Sequence, residues 1–457
     1  MPSNDLHAYL NASFDRHVAE LTDLLKIPSV STDPGHEADM RAAAGFVRDR
    51  LAGLGFSANV RETGGHPLVQ AELVSGADRP TILIYGHYDV QPAEPLELWN
   101  TPPFEPKLTG AALIARGASD DKGQFYAHIM AVEALLATGG DPGVNIRFLI
   151  EGEEEIGSPN LDAYIREHLN ELRADAVIIS DGAMVAPGVP SLTYGLRGLA
   201  YVEVRVTTAD RDLHSGAYGG AVPNAINVLA RMIAALHDED GRVTVPGFYD
   251  SVLELDDAER GLLARVPFDE AAFLGDVGVR AGMGEAGRSV LERISTRPTL
   301  DVNGIGGGFQ GAGSKTVIAN SAMAKISCRL VPDQDSGDIT ARLGAWLREL
   351  APTGVKVDVT DLGAGEPAIT SLDAPAVKAA AAALHEAWGK EPVFVRTGGS
   401  IPVVNTFQQL LGAPVVLLDM GLPSDNVHAP NEQFGLECYR RGIHAAALMI
   451  RRMGETD

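Results

Sequence analysis

Five short segments of the chain concentrate carboxylates and imidazoles. The run TILIYG leads into His87-Tyr88-Asp89, IRFLI into Glu151-Gly152-Glu153-Glu154-Glu155, and AVIIS into Asp181. PVVLLDMG leads through a short loop to Asp425 and His428, and a further acidic pair, Asp120-Asp121, lies in the glycine-flanked turn RGASDDKG. One acid at the end of an apolar run is ordinarily a turn former or a helix cap. Five such segments converging on one place would cost several kcal/mol, to order of magnitude, per desolvated ion without countercharge. The group must therefore take up protons or hold cations. Histidine with Asp or Glu and no thiolate is the donor set of catalytic zinc, with manganese or cobalt as alternatives. Two divalent ions would bring about four positive charges, which three ligand carboxylates and one hydroxide would balance.

The runs before these residues are the elements that must position them. Thr81–Tyr85, Ile146–Ile150, Ala176–Ile179 and Pro414–Leu418 have the length of buried core strands, and three of them are rich in Ile or Val. Helical spacing recurs between them, as in Gln124–Leu136 with Phe125, Ile129, Val132 and Leu136. Strands alternating with helices predict an α/β fold with a mostly parallel, doubly wound sheet. In such a sheet, ligands bind at the carboxyl ends of the strands, where these acids and histidines lie.

The middle of the chain reads differently. Leu199–Thr208 alternates apolar and polar residues, as a strand with one solvated face does. An amphipathic helix at Val222–Leu236, a strand at Ala324–Val331, a helix at Ile339–Leu350 and a strand at Val355–Val359 complete a small α+β unit. The expected division is a catalytic domain of residues 1–197 and 374–457, with an inserted lid and dimerisation domain at 198–373.

Composition bounds the function. The net charge of −24 leaves no basic stripe to neutralise phosphates, which argues against a nucleic-acid partner. The two cysteines, Cys328 and Cys438, exclude a disulfide framework and argue against a cysteine-based zinc site. MPSNDLHAYL lacks the pattern of a signal peptide, and no stretch approaches the roughly 18 apolar residues of a membrane span. A cytoplasmic enzyme without a membrane partner is expected.

The segments GHYDVQP, ARGASDDKG, EGEEEIGS, ISDG, TYGLRG, DLHSGAYGG, SCRLVPD and GGSIPV, in this order from about residue 80 to 430, together resemble the peptidase M20 family, specifically its branch of cytosolic dipeptidases and carnosinase-like enzymes. The resemblance implies that Asp120 bridges two metal ions, with His87 and Asp181 completing one site and Glu155 and His428 the other. Asp89 would orient His87. Spacing alone leaves Glu153, Glu154 and Glu155 open as the general base; the family pattern selects Glu154, which takes a proton from the attacking water and returns it to the leaving amine. In the family, the histidine matching His214 reaches a partner subunit's active site and stabilises the oxyanion. Thr316, Arg329 and Ser400 match substrate contacts, Arg329 suiting a free carboxylate through its bidentate fork. These four imply a homodimer through the inserted domain. One departure is Thr397: in the eukaryotic dipeptidases the matching residue is acidic and lies near the substrate amine. The expectation is thus a dipeptidase, with an N-acyl amino acid deacylase as the alternative use of the same centre.

Other motifs carry less. Gly306–Gly311 satisfies G-x-G-x-x-G but opens no helical pattern, and Ser314-Lys315-Thr316 lacks the glycine that precedes a P-loop lysine. His385-Glu386 has Gly389 where a zincin needs histidine, and Pro402 replaces the closing glycine of a nucleophile elbow. His128 reads as a packing or surface residue. A non-catalytic protein on the same fold would have lost a ligand or the base, and none is missing.

Overall fold

The four apolar runs become adjacent parallel strands in the centre of one sheet. The computed structural model describes residues 3–399 and 401–455, so Ser400 lies outside the described residues. Strands Asn145–Glu151, Thr81–His87, Ala176–Ile179 and Val415–Leu418 pair in that order, all in parallel. The nine-stranded sheet is mixed. Ser57–Arg61 and Leu68–Leu73 extend one side antiparallel, while Ser191–Leu196 joins Val415–Leu418 antiparallel on the other.

Alternation along these strands feeds two separate cores. Ile82, Ile84, Ile146, Phe148, Ile178 and Val416 face one side, against helices Ser3–Leu25, Glu37–Gly53, Lys122–Gly139, Pro375–Trp388 and Leu436–Glu455. Leu83, Tyr85, Leu149, Val177, Ile179 and Leu417 face the other, against helices Leu161–Glu167 and Pro402–Leu411. Because both faces are covered, these strands read as near-continuous apolar runs. Each fully buried Ile or Leu contributes about 1.5–3 kcal/mol, which fixes the strand register and with it the residues that emerge at the strand ends.

A second sheet takes all its strands from Gly198 to Gly365. It is antiparallel, in the order Thr299–Gly307, Ser321–Leu330, Gly198–Thr207, Lys356–Gly365. Gly198–Thr207 alternates buried with more exposed residues, and the buried side packs on helices Ala225–Ala234 and Ser336–Leu350. The expected Val222–Leu236 helix is trimmed at both ends, its start set by Asn224, whose side chain accepts from the Ile226 N–H. No described helix is long and apolar enough to cross a membrane.

Candidate metal centre

Three of the central strands deliver their acids and histidine side by side. His87 closes its strand, Asp181 follows the neighbouring Ala176–Ile179, and Glu155 lies in a 3-10 turn, Glu154–Ile156, beyond Asn145–Glu151. Asp120 arrives from the turn before helix Lys122–Gly139, and its peptide bond to Asp121 is cis. Lys122, fully buried, anchors that turn by donating to the Ile27 carbonyl at 2.7 Å, at the end of the first helix. Gly86 is required by close approach: a Cβ there would sit 2.4 Å from Phe125 Cβ and 2.8 Å from Asp121 Oδ2. Without a side chain at 86, the Asp121 carboxylate reaches the His87 N–H at 3.1 Å.

Two ligand groups form, sharing one residue. His87, Asp120 and Asp181 make the first, and Asp120, Glu155 and His428 the second, with the offered atoms of each within 4.8 Å of one another. His87 Nε2 lies 3.2 Å from Asp120 Oδ1 and 3.8 Å from Asp181 Oδ2. It is nonetheless buried without a properly directed hydrogen bond, as fits a nitrogen aimed at a cation. His428 Nε2 lies 2.8 Å from Asp120 Oδ2 and 3.3 Å from Glu155 Oε2. Nitrogen and oxygen donors in threes around a shared carboxylate suit two divalent ions. Cys328 and Cys438 are buried and belong to neither group.

Asp89 connects the two groups. Its backbone carbonyl lies 3.1 Å and its carboxylate 3.4 Å from His87 Nδ1, so a proton on Nδ1 leaves Nε2 as the free donor atom. The same carboxylate accepts the N–H of Glu155 at 3.0 Å and of Glu154 at 3.3 Å. Gln91 donates to Glu155 Oε2 at 2.8 Å.

The three consecutive glutamates divide by their partners. Glu153 is buried and accepts from the His66 N–H and from Asn160 Nδ2. Glu155 faces His428 and Gln91. Burial raises the pKa of Glu154 to about 8, opposed by His87 and reinforced by Asp181, Glu155 and Asp120. Burial alone would lower the pKa of His87, but Asp120, Asp181 and Asp89 outweigh it and hold it well above its ordinary value. Asp120 and Glu155 lift His428 to about 10. Burial works to raise Asp120, yet the nearby rings of His428 and His87 hold it well below the usual carboxylate range.

Of the remaining expected residues that are described, Arg329 lies in the second sheet, His214 in a separate two-stranded pair with Thr316 beside it, and Thr397 in the nine-stranded sheet. His214 and Thr316 are brought together, since Leu213–His214 pairs with Val317–Ile318 and the Ser215 N–H donates to the Thr316 carbonyl at 3.1 Å. Both side chains are exposed, and neither joins the metal-ligand groups. His214 Nδ1 accepts from the Gly216 N–H at 3.0 Å, which places the proton of the neutral ring on the outward Nε2. Arg329 lies on Ser321–Leu330 and lines a cavity of about 1030 Å³ with Arg197, Tyr249 and Arg297. Thr397 ends strand Val393–Thr397, its carbonyl accepting from the Arg197 N–H at 3.3 Å.

Sequence reasoning missed Glu432 and left Asp425 without a role. Asp425 is buried and accepts from Ser119 Oγ at 3.0 Å and the Leu422 N–H at 2.8 Å, outside both ligand groups. Glu432 is buried against the Asp120 turn; the one signal was its place four residues after His428. His128 packs in the core with Ser180 Oγ at 2.8 Å, and His385 is an exposed helix residue facing Glu391.

Comparison with known proteins agrees with this geometry. The family model Peptidase family M20/M25/M40 matches residues 83–452. A Cys-Gly metallodipeptidase of Schizosaccharomyces pombe is 32% identical over 473 residues, covering 100% of this chain and 99% of the relative. The human Beta-Ala-His dipeptidase is 32% identical over 394 residues, covering 85% of this chain and 78% of its own. The crystal structure of an M20 family metallo-carboxypeptidase from Sulfolobus solfataricus superposes with a TM-score of 0.82 at 34% identity, covering 96% of this chain and 99% of that one.

Proposed function

The chain belongs to peptidase family M20/M25/M40 and is a metallopeptidase, and from that premise we propose that it hydrolyses dipeptides at a two-zinc centre held by His87, Asp120, Glu155, Asp181 and His428. The observation that carries this reading is the pair of three-residue groups sharing Asp120, with the Glu154 carboxylate beside them. The dipeptide substrate rests on the names of the yeast and human relatives.

When bound, the ions would lower the pKa of water to about 7 and polarise the scissile carbonyl. Glu154 accepts the proton of the attacking water and delivers it to the leaving nitrogen, the role open to the one glutamate of the three not already engaged. Asp89 holds the His87 ring and the Glu154–Glu155 backbone in one frame. His214, with its outward Nε2–H, supplies the oxyanion donor to a partner protomer, and Thr316 is held beside it. Arg329 takes the substrate carboxylate, with Ser400 as a further contact.

We infer a homodimer through residues 198–373, with residues 1–197 and 374–457 as the catalytic domain. Strand Thr299–Gly307 is one edge of its sheet, exposes Val302 and Ile305, and is followed by exposed Phe309. Such an edge is a template for pairing. Thr397 favours a second reading, an N-acyl amino acid deacylase on the same centre in a cytoplasmic protein. A turnover screen of dipeptides and N-acyl amino acids on zinc-reconstituted protein separates the two. Hydrolysis of N-acyl amino acids with no dipeptide turnover would overturn the first.

A further inference from the structure

His428 is presented in an unusual way for a ligand. Its ring is about half exposed and its backbone is left-handed, at φ 60°. Its loop is pinned on either side of it to the turn that carries Asp120. On one side, Asp425 accepts from Ser119 Oγ at 3.0 Å. On the other, the wholly buried Glu432 receives four hydrogen bonds from that turn. Its Oε1 accepts the N–H groups of Ser119 at 2.9 Å and of Asp120 itself at 3.0 Å. Its Oε2 accepts the Gly117 N–H at 2.9 Å and Arg116 Nη1 at 2.8 Å. The Glu432 carbonyl adds a bond from the Ala115 N–H at 3.0 Å. Arg116, also buried, supplies the charge that makes a carboxylate tolerable there, and donates to the Pro92 carbonyl at 3.1 Å.

These bonds bear on the position of one peptide unit, that of Asp120, relative to a loop more than 300 residues away. His87 and Asp181 do not depend on them, because both leave strands paired within the sheet. We propose that Glu432, with Asp425, is a positioning residue that locks His428 to Asp120 and so bears chiefly on the Asp120–Glu155–His428 metal site, which takes two ligands from the clamped segments where the other site takes only Asp120. The inference rests on the two-metal reading above. A carboxylate with both oxygens filled by N–H donors cannot be replaced by an amide: the glutamine NH2 would face Gly117 N–H and Arg116, or Ser119 and Asp120, donor against donor.

The test is titration of metal-free protein with Co2+, followed by calorimetry and by the visible absorption of the bound ion. Wild type takes two equivalents. Glu432→Gln, folded by circular dichroism, binds one equivalent about 10–100-fold more weakly, the usual cost of losing an outer partner of a ligand, and the other, which takes only Asp120 from the clamped segments, is weakened less. In a His428→Ala background the same substitution costs less than it does alone, because the two changes act chiefly on one site. Two equivalents at wild-type affinity in folded Glu432→Gln, or equal weakening of both, overturns the proposal. Should Glu432→Gln not fold, Ser119→Ala and Asp425→Ala each break the Ser119–Asp425 bond of the clamp and must weaken the same site more than the other; unchanged or uniform affinity then overturns the proposal. Wild type that binds fewer than two equivalents removes the two-metal reading itself, and this inference with it.

Discussion

His87 and Asp181 leave neighbouring parallel strands buried on both faces, whereas Glu155 comes from a 3-10 turn and His428 from a half-exposed loop. The first pair inherits its position from the core of the sheet, where Ile82, Ile84, Val177 and Ile179 allow no slip without exposing apolar surface. The second pair has no such support and is held by hydrogen bonds: Asp89 and Gln91 fix Glu155, and Asp425 and Glu432 fix the loop of His428. Packing and polar clamps are two ways to hold a ligand. They fail differently, since packing yields with the fold and a clamp yields alone.

The largest effect is expected at the residue both halves share. Asp120→Ala removes a ligand from each group, so both ions should be lost from folded protein and hydrolysis with them, beyond the roughly 10–100-fold cost of losing an outer partner; elemental analysis together with initial rates reads this. If that variant keeps two tightly held ions, the halves are not joined through Asp120. Glu154→Gln comes next, with kcat lower by about 10²–10⁴-fold while both equivalents of metal stay bound. A rate equal to wild type would remove Glu154 from the chemistry.

Asp89 touches both halves, so Asp89→Asn should weaken both sites by about 10–100-fold, where Glu432→Gln weakens chiefly one. Metal titration of the two variants side by side sharpens the distinction, and a one-site effect of Asp89→Asn would break it. The smallest effect concerns pH. The folded pKa of His428 is lifted to about 10 and that of His87 is also raised, both above the unfolded value near 6.5. Their contribution to metal-free stability is complete below pH 6.5 and is lost as pH rises, for His428 through about 10. Glu154, raised to about 8, changes stability in the same direction. Melting temperatures of the chelated protein should therefore fall from pH 6.5 to 10, and those of the metal-loaded protein should fall less; parallel curves would contradict the protonated rings. Metal affinity should rise over the same interval, as binding expels those protons.

Much of the site was legible because chemistry and periodicity coincided. Ala176–Ile179 was read to the residue, and the strands before His87 and Glu151 to within two, since strands covered on both faces are written as unbroken apolar runs. The edge strand Ser57–Arg61 and its neighbour Leu68–Leu73 are not legible in the sequence, nor is Ser191–Leu196, because their patterns are shorter of apolar residues or interrupted by glycine. The sheet is mixed at its margins for the same reason: only its parallel centre announces itself in the sequence.

By itself the sequence determined which residue types stand at the ends of the central strands, and hence that an acidic and histidine-rich group forms there. That follows from local periodicity, a property of neighbouring residues. It could not decide among Glu153, Glu154 and Glu155 by spacing, because their roles depend on His66, Asn160, Gln91 and His428, none of them local. Nor could it reveal Glu432, whose four hydrogen bonds close a loop of more than 300 residues. Tertiary structure decided those, because a hydrogen bond acts over about 3 Å and only the folded chain brings donor and acceptor that close.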